Sequence, residues 1–356
     1  VRYRALDAFK GVGLIGMMVS HAMILGYPPE GYGDLAGLEA VAFLIARVMI
    51  HGKFTFLFAF AFGISLALQA RRRDRFLDEA PGRFVILALF GVLHALILYQ
   101  WDILFLYAVA WTLIYGLERF RVSPRVLIAL ASGALVATFI DRLASAGAAS
   151  NSSAFYQSLA SSSFIQLVEL RAFMFVSMVT SSDLLLIFGM VLLGYVAGRV
   201  GVLELDASAW RRVFRIAAPL SLAFVAAQVA VYQIAPLEYP LAEAFGVPAG
   251  IAFGVVLVAS IARWSPRLPD FVVASGRWSL SVYIFQSLVL LAAFSSSSSW
   301  GSASPSVLFL ASLAAGVLVS RLAAAGQARF GAGPLERALR SMSSRLTIGA
   351  PIASEV

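Results

Sequence analysis

The chain has 356 residues, of which 60% are hydrophobic and 13% charged, with mean hydropathy +0.87 and formal net charge +8. Soluble domains run at about 45–50% apolar and about 25% charged, so this is a protein of the bilayer, with no stretch left over for a separate soluble domain. No cysteine is present, which excludes disulfides and thiolate chemistry, and three histidines without cysteine argue against a structural zinc site.

Apolar runs of about 20 residues recur along the chain, each long enough for about 30 Å of hydrocarbon. In chain order they predict spans at 6–26, 53–70, 83–99, 102–118, 124–143, 182–199, 212–234, 245–263, 272–294 and 305–325. The first run reads as a signal anchor rather than a cleaved signal peptide. The phenylalanines at 54, 56, 58, 60 and 62 alternate like a strand, but a lone strand cannot cross lipid with an unpaired backbone, so a helix is expected. The run from Arg83 to Leu117 would be about 53 Å long as one helix. "YQWD" at 99–102 is therefore expected to form a hairpin, with Tyr99 and Trp101 at headgroup level. Segments 37–50 and 164–180 are apolar but carry Glu39, Arg47, Glu169 and Arg171, and are read as re-entrant or interfacial. The serine runs at 161–163 and 295–299 read as loops.

Charge assigns the sides. "RYR", "RRRDR", "ERFR", "WRR", "RWSPR" and the arginine-rich tail fall on one side of these ten spans. The opposite loops, among them "YPPEGYGD", "APLEYP" and "SSSSSWGSASPS", hold almost no Lys or Arg. By the positive-inside rule this is a multi-pass plasma (inner) membrane protein with both termini cytoplasmic. The same rule accounts for the basic balance, so nucleic acid is not an expected partner. The expected fold is an all-α polytopic bundle of about ten transmembrane helices, a single domain over 1–356.

The first span keeps Asp7, Lys10 and His21 in otherwise apolar sequence. Lys10 and His21 lie about 20° apart around a helix and roughly 16 Å apart along it, so the three share a stripe. Gly11, Gly13 and Gly16 prepare the helix for close approach by a neighbour. His51 and Lys53 open the second span, His94 lies in the outer half of the third, and Asp102 follows the hairpin. Ionisable groups inside a membrane are costly and usually face a cavity. Each also has a plainer reading. A histidine can simply hydrogen-bond a neighbouring helix, Asp7 can pair with Arg4 or Lys10, and Arg71, Arg72, Arg73 and Arg75 can be topology determinants.

"HGKFTFLFAFAFGISLALQ" at 51–69 and "LFGVLHALILYQWDILFLYA" at 89–108 resemble signatures of the YeiB-like family, also called domain of unknown function 418. "LLGYVAGRVGVL" at 192–203, "SGRWSLSVYIFQSL" at 275–288 and "FGAGPLERALR" at 330–340 resemble its later landmarks. The motif-bearing halves are 1–120 and about 182–340. The opening "LDAFKG" with His21 is more similar to acyltransferase-3 membrane enzymes, whose Arg/Lys-x10-His spacing Lys10 and His21 reproduce.

The resemblance implies transfer of an acyl group, acetyl in the simplest case, from cytoplasmic acyl-CoA to a hydroxyl or amine of a glycan or lipid-linked sugar at the outer face. Imidazole serves such chemistry as base or acyl acceptor, and a carboxylate can orient it. His21 is then the first candidate, with His94 and Asp102 for orientation or acceptor binding. Arg71, Arg72, Arg73, Arg75 and Lys10 are candidates for the donor side, the arginines because guanidinium grips phosphate. Asp7, His51, Lys53 and Gln286 are candidates for lining the cavity. A proton-coupled transporter or flippase of an amphipathic molecule is an alternative use of the same polar cluster, and a non-catalytic membrane subunit is another.

Overall fold

The computed structural model describes residues 3–27, 34–145, 158, 163–234, 239–294, 301 and 303–346. The expected loops at 28–33, 235–238 and 295–300, and most of 146–162, lie outside them, as does the side chain of Arg73. Every regular element among the described residues is helical.

Helix α1 (Arg4–Gly26) is followed by α2 (Gly37–Leu44), which runs through a π-helical turn (Ile45–Ile50) toward α3 (Lys53–Ala70). Gly52 breaks the path between them at φ +76°, where L side chains are disfavoured. Then come α4 (Arg73–Ile97), α5 (Leu104–Arg119), α6 (Pro124–Ala144), α7 (Phe164–Thr180) and α8 (Asp183–Arg199). The chain closes with α9 (Ala207–Ile234), α10 (Tyr239–Trp264), α11 (Asp270–Arg277), α12 (Ser279–Ala293), α13 (Pro305–Phe330) and α14 (Pro334–Arg345).

Two sets of contacts define two ends of the bundle. At one end Arg4 bonds Asp270 and the carbonyls of Ser265 and Leu268, Arg71 meets Glu204, and Trp278 Nε1 donates to Gly331 O. At the other, Glu39 accepts from Ser304 and Ser306, Arg47 donates to Tyr27 O, Arg171 donates to Ile97 O, and Arg142 holds Asp183. Among the described residues the helices run between these two ends, with α11 and α12 continuing one another. Seven described helices are long and apolar enough to cross a membrane individually, and the α7–α8 pair, bent by 57°, would be an eighth. Helices α5 and α12, at 16 and 15 residues, are shorter. Segments 37–50 and 164–180 make the Glu39, Arg47 and Arg171 contacts just given; the first continues toward α3 in one apolar stretch, Gly37–Ala70, and the second is one arm of the bent α7–α8 pair.

Several boundaries move. Helix α4 starts ten residues ahead of the predicted span. Its first turns carry the arginine run, because Glu79 pairs with Arg75 (2.5 Å) and Arg83 at i±4 spacing. The predicted span 272–294 is broken at Trp278 into α11 and α12. Helix α10 begins at Tyr239, which brings Glu243 inside a helix. Tyr99, expected at headgroup level, is 2% exposed and packs inside the protein.

The phenylalanine run is helical as expected. Phe56 and Phe60 stack at 5.6 Å, and Phe58 and Phe62 lie against Tyr107 at 5.9 and 4.8 Å. Close approach rests on glycine. A Cβ on Gly11 would sit 1.9 Å from Val272 O, and one on Gly63 1.9 Å from Val191 O. Outward-facing Leu89, Leu93, Ile128, Val136, Phe173, Leu220 and Leu310 are exposed around the bundle, the surface a lipid-facing protein presents.

Candidate functional site

The polar centre of the bundle is built on His94. Helix α4 carries it near its C-terminal end, the α4–α5 connection carries Asp102, and α12 carries Ser287. His94 Nδ1 lies 2.8 Å from Asp102 Oδ1, and His94 Nε2 lies 2.8 Å from Ser287 Oγ. Asp102 Oδ2 accepts the Phe105 N–H at 2.8 Å, which holds the carboxylate at the start of α5. All three side chains are at most 2% exposed. Gly91 makes the geometry possible, since a Cβ there would meet Phe105 N at 2.4 Å and Asp102 Oδ2 at 2.8 Å.

A carboxylate accepts and does not donate, so Nδ1 carries a ring proton toward Asp102. With Nδ1 so engaged, Nε2 is the ring nitrogen that faces the Ser287 hydroxyl. Two tyrosines adjoin this centre: the Tyr283 ring lies 4.9 Å and the Tyr99 ring 6.4 Å from the His94 ring. His21 stacks on Tyr99 at 4.3 Å and meets Tyr283 edge-on at 6.2 Å. His21, His94 and Asp102 are thus brought to one layer, with the two tyrosine rings linking the histidines.

His51 and Lys53 belong to a neighbouring network. Ser20, the chain neighbour of His21, bonds His51 Nδ1 at 2.8 Å, and His51 Nε2 lies 3.7 Å from Glu243. Arg142 lies 3.4 Å from Glu243 and 2.7 Å from Asp183. Lys53 donates to Gln228 at 2.8 Å, and Gln228 in turn donates to Ala242 O. The three histidines therefore gather toward the same end of the bundle, as the sequence leads one to expect.

Other candidates are distributed. Asp7 pairs with Arg277 at 3.1 Å rather than with Arg4, which goes to Asp270. Lys10 is half-buried on α1. Gln286 donates to Leu14 O at 3.2 Å and so ties α12 to α1. At the α1-start end lies a cavity of about 730 Å³, lined by Arg4, Arg277, Trp278, Gln327, Glu336 and Arg340 among others. A smaller one of about 220 Å³ holds Arg72, Arg75 and Arg83 beside Trp111. Arg71 is engaged by Glu204 at 3.1 Å, and that bond, with one from Tyr3, holds the Glu204 carboxyl below its usual range. Arg73's side chain lies outside the described residues.

Sequence reasoning missed Ser287, Glu243, Arg277 and the tyrosines. Ser287 follows the singled-out Gln286 by one residue, and Glu243 sits just ahead of a predicted span, so adjacency was the available signal.

Seven described helices long and apolar enough to cross a membrane, an exposed apolar surface and a buried polar centre define a multi-pass α-helical membrane protein. Residues 197–345, the region that supplies Ser287 and most of the larger cavity, match the model of a family described as a protein of unknown function (DUF418). No curated protein matches the chain.

Proposed function

We propose that this protein is a membrane acyltransferase. It takes an acyl group from cytoplasmic acyl-CoA and passes it to a hydroxyl or amine of a glycan or lipid-linked sugar at the opposite face of the inner membrane. Both termini lie on the cytoplasmic side. The observation that carries this reading is His94, held through Nδ1 by Asp102 with Nε2 left as a base inside a water-excluded layer. His21 stands across the tyrosine rings as a second imidazole toward the acceptor. The Lys10–His21 spacing of the acyltransferase-3 enzymes supports the same assignment.

Donor phosphates would enter at the cavity of about 730 Å³, where Arg277 and Arg340 meet Trp278. Guanidinium forks suit phosphate, and an indole suits an adenine face. The mouth beside Arg72 and Arg75 fits less well because its cavity is only about 220 Å³. Arg72 and Arg75 keep the smaller mouth as the competing donor site.

The test is release of free thiol from acetyl-CoA and longer acyl-CoAs by the full chain reconstituted in liposomes with a membrane glycan extract. His94→Ala should lower kcat by about 10²–10⁴. The double change Arg277→Ala and Arg340→Ala should raise KM for acyl-CoA, with Arg71→Ala and Arg72→Ala close to wild type. Absence of thiol release with every acyl-CoA would overturn the reading in favour of transport.

A further inference from the structure

The acyl-transfer reading uses His94 and Asp102 and leaves Ser287 without a part. We propose that Ser287 is the nucleophile of a buried serine–histidine–aspartate triad, carrying the acyl group as an ester between donor and acceptor. The inference rests on the proposed reaction and adds a covalent intermediate to it.

The geometry is that of an activated hydroxyl. Asp102 Oδ1 to His94 Nδ1 and His94 Nε2 to Ser287 Oγ are both 2.8 Å. The second carboxylate oxygen is anchored by the Phe105 N–H at 2.8 Å, so Asp102 does not swing away from the imidazole. A serine inside a helix ordinarily satisfies itself by donating to the carbonyl four residues back. Here that alternative, to Tyr283 O, is 3.3 Å, longer than the contact with the histidine. A structural role for the hydroxyl needs one partner. An oriented imidazole with its own carboxylate is the arrangement that draws the proton off a nucleophile. Three separate elements converge on it, in the chain order histidine, aspartate, serine. Burial adds a chemical reason: an acyl-serine at 2% exposure is protected from hydrolysis until the acceptor arrives.

The steps balance. Ser287 Oγ attacks the thioester carbonyl and its proton moves to His94 Nε2. The C–S bond breaks, and His94 returns the proton to the departing sulfur, leaving an acyl ester on Oγ and a free thiol. The acceptor hydroxyl or amine then attacks the ester carbonyl and gives its proton to Nε2. The C–Oγ bond breaks and the proton goes back to Oγ.

Two measurements on the purified full chain test this. Incubation with acetyl-CoA but no acceptor, quenched in acid and read by intact mass and peptide mapping, should give one acetyl group on Ser287. The adduct should vanish in Ser287→Ala and His94→Ala. In Ser287→Cys, which keeps the packing, it should become a hydroxylamine-sensitive thioester. Turnover of Ser287→Ala should fall by about 10²–10⁴. Separately, a fluorophosphonate should label Ser287 in wild type and fail to label it in His94→Ala, whether or not acyl-CoA is the donor. Labelling without acyl-CoA consumption removes the acyl-CoA reading and keeps the triad. Acyl-CoA consumption with Ser287→Ala within about twofold of wild type, or an acetyl adduct on His21, overturns the triad and keeps the reading. A wild type inert to both reagents overturns both.

Discussion

Asp102 is fully buried with both carboxylate oxygens engaged, one by His94 and one by the Phe105 N–H. Replacing it by asparagine keeps the volume but sets an amide against Nδ1, and the ring is no longer held in the tautomer that leaves Nε2 free. Asp102→Asn is predicted to lower kcat by about 10²–10⁴ with KM for acyl-CoA within about twofold, read in the thiol-release assay. Asp102→Ala adds a stability cost, since it strands a buried imidazole N–H and a backbone N–H, each worth about 1–3 kcal/mol. Its melting temperature in detergent should therefore fall well below that of Asp102→Asn. His94 and Asp102 were legible in the sequence because an ionisable side chain in an apolar run is conspicuous against its cost. Ser287 was not, because a helix hides a serine at little cost by bonding its own backbone. Glu243 was obscured differently: its partners Arg142 and His51 are 101 and 192 positions away in the chain, and only the fold brings them together.

At the scale of elements, the close pairing of α3 with α8 depends on reciprocal glycines. A Cβ on Gly194 would sit 2.0 Å from Phe60 O, as one on Gly63 would sit 1.9 Å from Val191 O. Backbone cannot yield as a side-chain tip can, so Gly194→Ala forces the helices apart. The predicted cost is about 1–3 kcal/mol, seen as a lower melting temperature and a lower yield of monodisperse protein. Gly133→Ala is the control: nothing lies within 4 Å of its Cβ position, and the gain in helix propensity of up to about 1 kcal/mol leaves stability equal or higher. Spans such as 53–70 and 124–143 were legible almost to the residue because hydropathy alone decides them. The start of α4 was not, since Arg73–Glu79 reads as polar loop while i±4 ion pairs let it continue as helix. The break at Trp278 was hidden as well. Ser275, Gly276 and Arg277 interrupt the apolar run just ahead of it, but a span of 23 residues absorbs so short an interruption, and only the fold shows the indole bonded to Gly331 O.

For the whole molecule, the decisive quantity is the parity of crossings. The chain has no cysteine of its own, so single introduced thiols report side without background. Ser145, Thr180 and Ser344 are exposed positions near helix ends. Between Ser145 and Thr180 the described helical residues are Ser158 and α7, whose Arg171 is bonded to Ile97 O at the end of α4 away from the start of α1. Between Thr180 and Ser344 the expected topology has five passes, through α8, α9, α10, the α11–α12 pair and α13. Ser145→Cys and Thr180→Cys should therefore both react with a membrane-impermeant maleimide on intact cells. Ser344→Cys should react only after permeabilisation. Labelling of Thr180→Cys but not Ser145→Cys would make α7 a crossing helix and place the start of α1 outside. The donor cavity would then face away from the cytoplasmic acyl-CoA pool, so this one experiment also bears on the chemistry. Equal labelling of Thr180→Cys and Ser344→Cys would mean that one of the short passes, α12 at 15 residues foremost, stops inside the bilayer. In that case Ser287 would reach His94 from a re-entrant element rather than from a spanning one.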